Sequence, residues 1–197
     1  MRLLELLASR KSLVRSYFYS VNLMLLFKVG AILAKTNDVC IINEHKIRWN
    51  LAPVLEFNPR CVEGAKLLVF EAESELEVPQ EFWLATSPKR LKLQADVVEV
   101  VKLSDGSFKA TLANELFNFR ISGGQLLELK MGSDEAEVLR LLEEWGGEAE
   151  LKDVVAVASK RCGMTRDAVR EVVWRLKEKG YLDLIGRLVK KKNMREG

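Results

Sequence analysis

Basic side chains recur near the end of the chain in a pattern that suits contacts with phosphate groups. Arg166, Arg170 and Lys177 fall on one flank of a predicted helix, and Arg187 follows shortly after it. Three consecutive lysines close the cluster: Lys190, Lys191 and Lys192. Cationic groups release the counterions condensed on a nucleic-acid backbone, and this release supplies most sequence-independent affinity. The residue types predict electrostatic binding of a polyanion, with a solvated tail as the alternative for the three lysines.

Side chains suited to catalysis or metal binding are few. The chain has one histidine, His45, and its cysteines stand at no metal-site spacing. Ser–His or Cys–His machinery would depend on that one imidazole, and no phosphate-binding glycine loop follows a predicted strand. The alternating glutamates of residues 71–77 are typical of a solvated strand face rather than a metal cage. We therefore expect a protein that is not an enzyme and that holds no metal or cofactor.

The three cysteines, Cys40, Cys61 and Cys162, form an odd and scattered set. This pattern predicts free thiols rather than a disulfide framework, and it favours a reducing compartment, the cytoplasm. The chain has only three glutamines beside abundant lysine, arginine and glutamate. This composition leans towards that of a thermophile protein.

An apolar run at residues 21–34 raises the question of a targeting or membrane segment. Asn22 and Lys28 interrupt the run, which is shorter than the ~20 residues that a membrane span needs. No small-residue cleavage site follows it, which argues against a signal peptide. We predict a helix over residues 2–8, a largely buried helix over residues 12–35, and no membrane association. The second helix is either an ordinary core helix or an oligomerisation helix.

Short strand-like runs separated by turn residues occupy residues 38–130. Asp105-Gly106 and Gly123-Gly124 predict hairpin turns, and all four prolines lie between the runs. The predicted strands are residues 39–42, 46–49, 67–70, 82–85, 97–103, 108–112, 117–121 and 126–129. The fold class expected for residues 1–131 is α+β, with the N-terminal helices packed on a mixed, largely antiparallel sheet. Residues 132–197 would form a second domain.

The C-terminal segment predicts three helices followed by a hairpin. Apolar positions at helical spacing mark the first two helices, after Ser133 and over residues 151–160. Thr165 is a good N-cap for a helix over residues 166–179, and Gly180 ends that helix. Two short strands around Gly186 complete the pattern.

This order of elements, with the segment TRDAVREVVWRLKEKGYLDLIGRLVKK, resembles the winged-helix superfamily, in the style of MarR-like prokaryotic regulators. The resemblance covers the C-terminal third of the chain. It implies a winged-helix domain in which the third helix enters the major groove of DNA and the hairpin is the wing. Winged helices also dock proteins, so the resemblance implies a fold more strongly than a function.

The third helix departs from the pattern of family members that read bases. If its apolar stripe faces the core, the outward face carries three carboxylates and an indole: Asp167, Glu171, Trp174 and Glu178. Readers of DNA commonly carry small polar or basic residues there. This departure favours contacts with the DNA backbone over contacts with the edges of the bases. Trp174 also predicts a protein interface, between domains or between subunits, because large aromatic residues are enriched in interface cores.

Charge is distributed unevenly along the C-terminal third. Residues 133–150 hold one basic residue and seven acidic ones, whereas residues 151–197 hold thirteen basic residues and six acidic ones. The first helix is therefore acidic, and the second helix, the third helix and the hairpin are basic. A basic surface of this kind is what contacts with phosphates require.

Two functions follow from these features. In the first, the chain is a DNA-binding protein, a transcriptional regulator or chromosome-associated factor, which contacts duplex DNA mainly through phosphates, using Thr165 and the cations named above. Its N-terminal domain would form a homodimer or sense an effector. In the second, it is a non-catalytic subunit of a larger complex, which docks a protein partner through the acidic face and Trp174.

Overall fold

The computed structural model describes residues 1–113 and 115–192, and for Leu51 the backbone only. The N-terminal helices are α1 (Arg2–Ser9) and α2 (Tyr19–Leu33). The strands of the larger sheet are β1 (Ser12–Arg15), β2 (Val39–Ile42), β3 (Lys66–Val69), β4 (Phe82–Ser87), β5 (Asp96–Lys102), β6 (Phe108–Leu112), β7 (Glu115–Ser122) and β8 (Gln125–Glu128). The C-terminal elements are α3 (Ser133–Glu144), β9 (Glu148–Glu150), α4 (Leu151–Cys162), α5 (Arg166–Lys179), β10 (Leu182–Ile185) and β11 (Leu188–Lys191).

The larger sheet has the strand order β2-β3-β4-β1-β5-β6-β7-β8. The first five strands in this order are parallel, and β5 to β8 form an antiparallel meander. The expected mixture of helices with a mixed sheet is confirmed. The expectation that the sheet is largely antiparallel is wrong, because the predicted hairpins account only for β5 to β8.

Strand β1 corrects the prediction of one helix over residues 12–35. Ser12 to Arg15 pair in parallel with β4 on one side and β5 on the other. Leu13 and Val14 are fully buried in different hydrophobic clusters, so they face opposite sides of the sheet. The strand has only these two apolar residues, between Ser12 and Arg15, too few to show the period of a strand. The sequence pattern alone therefore did not separate it from the apolar helix that follows.

Two further predicted strand segments lie outside the sheet. Residues 46–49 take part in the short 3₁₀ turns Glu44–Lys46 and Trp49–Leu51. The glutamates of residues 71–77 lie in a loop that ends in the turn Glu75–Glu77. Glu71 has a positive φ of 49°, which breaks the alternation of a strand.

A disulfide between Cys40 and Cys61 corrects the prediction of free thiols, while Cys162 is free. The bond joins β2 to residues 52–65, an irregular segment that we call the strap. Twenty-one positions separate the two cysteines along the chain, and their Cα atoms lie 4.5 Å apart. Spacing in the sequence gave no sign of this proximity, because it depends on the path of the strap past the edge of the sheet. The disulfide removes the reason to expect a reducing compartment and, with it, the cytoplasm.

Helices α1 and α2 cover one face of the larger sheet, and the main hydrophobic cluster lies between these helices and the sheet. Val21, Leu25 and Leu26 of α2 are fully buried there. The opposite face buries a smaller cluster under the loops of residues 70–81 and 88–95. No helix in the described parts of the chain is long and apolar enough to cross a membrane.

The C-terminal elements enclose a separate hydrophobic cluster between α3, α4 and α5. The predicted third helix is confirmed, and the first two helices lie where their apolar spacing placed them. The hairpin of β10 and β11 is also present, and β9, which was not predicted, pairs with β11 to give the sheet order β10-β11-β9. Helix α3 begins at Ser133 with Gly132 as its N-cap, whereas the sequence suggested Ser133 as the cap and a helix that begins after it.

The end of α5 packs against the meander of the larger sheet. Lys109 of β6 donates a hydrogen bond to the carbonyl oxygen of Glu178 (2.8 Å), and Ser104 donates to the Glu178 carboxylate (2.6 Å). Asn118 of β7 donates to the hydroxyl of Tyr181 at 3.4 Å. Burial and the nearby Lys192 charge lower the pKa of Lys109, although Glu178 partly offsets them. The C-terminal elements are thus hydrogen-bonded to the larger sheet.

Replacing Gly30 of α2 by valine should destabilise the protein by about 1–3 kcal/mol through overpacking. A Cβ atom at this position would lie 2.4 Å from the Phe57 ring and 3.1 Å from Leu68. Urea unfolding measures the loss. The substitution should cost less in a Phe57→Ala background, and an equal cost in both backgrounds would contradict the assigned contact.

Gly180→Ala should destabilise the protein more than Gly163→Ala does. Both glycines end a helix with positive φ, 89° and 64°, so each alanine is strained by its backbone conformation. Only at Gly180 would the new Cβ atom also meet a neighbour, Leu116 at 2.8 Å. Thermal unfolding of the two variants compares the costs. Equal losses would show that Leu116 moves aside freely.

Candidate nucleic-acid interface

Helix α5 is oriented by the stripe of apolar residues that the sequence predicted. Its four members are fully buried: Val169, Val172, Val173 and Leu176. At the start of the helix, the Thr165 hydroxyl accepts a hydrogen bond from the Ala168 N–H group at 3.2 Å. Thr165 therefore serves as a cap, which fixes the first turn and the direction of the side chains that follow.

A cleft of about 320 Å³ lies between the start of α4, the middle of α5 and the turn of the β10–β11 hairpin. Arg170 and Arg187, both predicted to contact phosphates, line this cleft together with Lys152. The hairpin turn is fixed to α4, since Leu151 donates its N–H to the Arg187 carbonyl oxygen at 2.8 Å. Tertiary structure thus gathers three cations from separate elements, together with the carboxylate of Glu150, into one concave surface.

The cations around the cleft are held weakly. Arg170 pairs with Asp167 at 2.6 Å, and Lys152 pairs with Glu150 at 2.9 Å. Both pairs are exposed, and exposed ion pairs contribute at most about 1 kcal/mol, so they exchange readily for other anions. Within residues 1–113 and 115–192, the exposed guanidinium groups of Arg166 and Arg187 have no ion-pair partner.

The three consecutive lysines do not join the cleft. Each pairs with a carboxylate of the C-terminal elements: Lys190 with Glu148 at 3.5 Å, Lys191 with Glu143, and Lys192 with Asp183 at 3.0 Å. Strand β11, which holds Lys190 and Lys191, and the next residue, Lys192, lie beside acidic residues of α3, β9 and β10. The sequence run thus forms three separate ion pairs and lies outside the cleft that Arg170 and Arg187 line.

Residues predicted to form a protein interface are divided between two locations. Asp167, Glu171 and Trp174 lie on the exposed face of α5, where the Trp174 side chain is 53% exposed. The Lys177 ammonium lies over the Trp174 ring, 4.4 Å from its centre, outside the cleft. Glu178 instead faces the larger sheet of the same chain. The contact between the two parts of the chain thus uses Glu178, and Trp174 stays exposed.

Two contributors to this region were missed in the sequence. Lys152 lies in the first turn of α4, where only its tertiary neighbours show that it lines the cleft. Glu135 of α3 is buried, and both of its carboxylate oxygens accept hydrogen bonds from Lys179 at 2.7 and 2.8 Å. The sequence offered one signal for Glu135: it stands in the first turn of a helix, where the helix dipole favours a negative charge. This pair locks the end of α5 to the start of α3.

A second polar cluster lies at the carboxyl ends of the parallel strands. Asn22 donates to the Glu71 carboxylate at 2.5 Å, and Lys46 donates to Glu77 at 2.7 Å. Burial raises the pKa of Glu71, whereas the Lys46 hydrogen bond lowers the pKa of Glu77. His45 is exposed nearby. Among the described residues, no group of three or more potential ligands could hold a metal ion.

Comparison of the chain with protein-family models, with curated proteins and with solved structures found no match.

Glu71→Gln should raise the melting temperature at neutral pH. The folded state binds the Glu71 proton more tightly than the unfolded chain does, so this carboxyl group favours folding at low pH and disfavours it above its raised pKa. The gain should therefore shrink as the pH falls through the raised pKa towards 4.5, the ordinary value. Calorimetry across pH measures both effects.

Glu77→Gln provides the matched control within the same cluster. Its pKa is lowered, so its ionised form stabilises the fold, and this contribution is lost as the pH falls. The control should lower the melting temperature at neutral pH and have less effect in acid. Shifts of the same sign in both variants would contradict the assigned environments.

Proposed function

We propose that the C-terminal elements form a winged-helix domain that binds duplex DNA, mainly through its phosphates, and that the protein is a transcriptional regulator or chromosome-associated factor. The proposal rests on one observation. Arg170, Arg187 and Lys152 line a single cleft although they come from α5, the hairpin and α4. Their convergence is what a surface for a polyanion requires.

The order of elements supports this assignment. A three-helix unit whose third helix is followed by a β-hairpin matches the winged-helix resemblance of the sequence. In that arrangement, α5 is the recognition helix and the turn around Gly186 is the tip of the wing. Arg166 at the start of α5 extends the basic surface, and no ion pair within the described residues occupies it.

This surface is better suited to contacts with the DNA backbone than to recognition of base edges. Asp167 and Glu171 stand on the exposed face of α5, where carboxylates repel phosphates. Asp167 also holds Arg170 at 2.6 Å, and a phosphate would have to replace it. Arginine at such a site forms bidentate contacts with phosphate oxygens. We therefore expect binding with little preference for sequence and a strong dependence on salt.

A protein-docking role is the second candidate, and the exposure of Trp174 favours it. A large aromatic side chain that is 53% exposed is a common anchor of protein interfaces. Lys177 covers part of the ring, and the neighbouring carboxylates would select a basic partner or a second copy of the chain. The two candidate sites adjoin on α5, where Asp167 of the docking face pairs with Arg170 of the cleft, and separate substitutions of Arg170 and Trp174 distinguish them.

Replacing both Arg170 and Arg187 by alanine should weaken binding of the full chain to mixed-sequence duplex DNA. Each lost phosphate contact reduces the magnitude of the slope of log affinity against log salt concentration by about 0.9. The slope of the double variant should therefore be smaller in magnitude by about 1.8. Fluorescence anisotropy at several salt concentrations gives both slopes. Trp174→Ala should leave the slope unchanged.

The matched control replaces Arg48 and Arg90, two exposed arginines of the N-terminal part, by alanine. It removes the same charge from outside the cleft and should leave most of the salt dependence intact. Equal losses in both double variants would place the binding surface elsewhere. If the unmodified protein does not bind DNA at low salt, and Trp174→Ala changes its assembly state in light scattering, the docking role is favoured instead.

A further inference from the structure

A cavity of about 620 Å³ lies in the N-terminal part, between α2 and the strap. One wall is the second half of α2 with Leu4 of α1, and the other wall is formed by residues 56–60 of the strap. The volume falls within the range of ordinary small-molecule sites. This cavity is remote in sequence from the basic cleft, and the DNA-binding proposal makes no use of it.

The cavity combines an apolar floor with a charged rim. Its apolar members are Leu4, Ala31, Ile32, Ala34, Val39 and Phe57. The rim carries three cations, and one of them, Lys28, is paired with Glu56. The other two, Lys35 and Arg60, are exposed and have no ion pair within the described residues. They come from opposite walls.

The negative end of the α2 dipole lies near this rim and opposes an anion. Its effect is reduced because the last carbonyl groups of α2 are capped. The Leu33 oxygen accepts hydrogen bonds from the backbone of Thr36 and Asn37 and from the Asn37 amide at 3.1 Å. Asp38 adds one carboxylate to the rim, so cations exceed acidic groups by one.

The strap is anchored at both ends of its cavity wall. Phe57 fills the space above Gly30, which is why a side chain at that position would clash. Arg60 donates its N–H to the Val39 oxygen at 2.8 Å, and the next residue, Cys61, forms the disulfide with Cys40. The disulfide therefore holds Arg60 beside β2, where its side chain lines the rim.

We propose that this cavity binds an amphipathic anion, a carboxylate or sulfonate attached to an apolar body, and that the Cys40–Cys61 disulfide keeps the site formed. The apolar floor takes the body of the ligand, and Lys35 and Arg60 bind its charged group from the two walls. Ligand binding at the strap is independent of the DNA-binding proposal.

Reduction of the disulfide would release the strap, which forms one wall of the cavity, from strand β2. Cys40 is buried and Cys61 is exposed, so a dithiol reductant reaches the Cys61 sulfur. One of its thiolates attacks that sulfur, forms a mixed disulfide and displaces the Cys40 thiolate, which takes up a proton. The second thiol then closes the reductant into its own disulfide and frees the Cys61 thiol. Two electrons and two protons thus pass from the reductant to the cysteines.

The test is a fluorescence titration of the full chain with 8-anilinonaphthalene-1-sulfonate, an amphipathic anion. The proposal predicts saturable binding that weakens roughly tenfold in Arg60→Ala, the equivalent of about one lost charge contact. Arg90→Ala is the matched control, since this exposed arginine lies outside the cavity, and it should bind like the unmodified protein. Decanoate should displace the probe, whereas decyltrimethylammonium should not.

Equal binding by Arg60→Ala and Arg90→Ala would overturn the site, and equal displacement by the anionic and cationic competitors would overturn its charge preference. The role of the disulfide is tested by repeating the titration after treatment with dithiothreitol and with the Cys40→Ala/Cys61→Ala variant. Circular dichroism confirms that each sample remains folded. Weaker probe binding in both supports the role, and unchanged affinity in a folded sample overturns it.

Discussion

Burial of one apolar stripe on α5 is the constraint on which the proposed interface depends. Its three valines and Leu176 lie at 0% exposure, and each such side chain contributes about 1.5–3 kcal/mol when removed from water. This burial leaves the helix a single rotational setting. Arg170 then faces the cleft, Trp174 faces outward and Lys179 reaches Glu135. The placement of a basic flank directly beside an acidic and aromatic face follows from that setting.

The same helix also carries the connection to the larger sheet. Its last turn offers the Glu178 carbonyl to Lys109, and Tyr181, just beyond it, receives a hydrogen bond from Asn118. Helix α5 is thus attached at one end to the β-meander, and strand β5 of the meander pairs with the parallel part of the sheet. The strap and its disulfide lie at the far edge of that sheet, beside β2.

Local chemistry explains which parts of the fold the sequence could predict. Thr165 and Gly180 mark the ends of α5 because capping depends on neighbouring residues, and the turn residues at 105–106 and 123–124 mark the antiparallel hairpins for the same reason. The position of β1 between β4 and β5, and the Cys40–Cys61 bond, depend on segments distant in the chain. At the candidate interface, the flank of Arg166 and Arg170 could be derived from helical spacing. The contribution of Lys152 and the separate pairing of the three lysines required the tertiary structure.

Photo-crosslinking from the hairpin tests the central claim most directly. Ile185 is 63% exposed beside the turn that carries Arg187, and Leu76, on the N-terminal part, is 99% exposed. A photo-reactive amino acid replaces each residue in turn, and the protein is irradiated with labelled duplex DNA at low salt. If the hairpin is the wing of a DNA-binding domain, position 185 crosslinks to DNA and position 76 does not. Crosslinking that is absent at position 185, or equal at the two positions, would contradict the account.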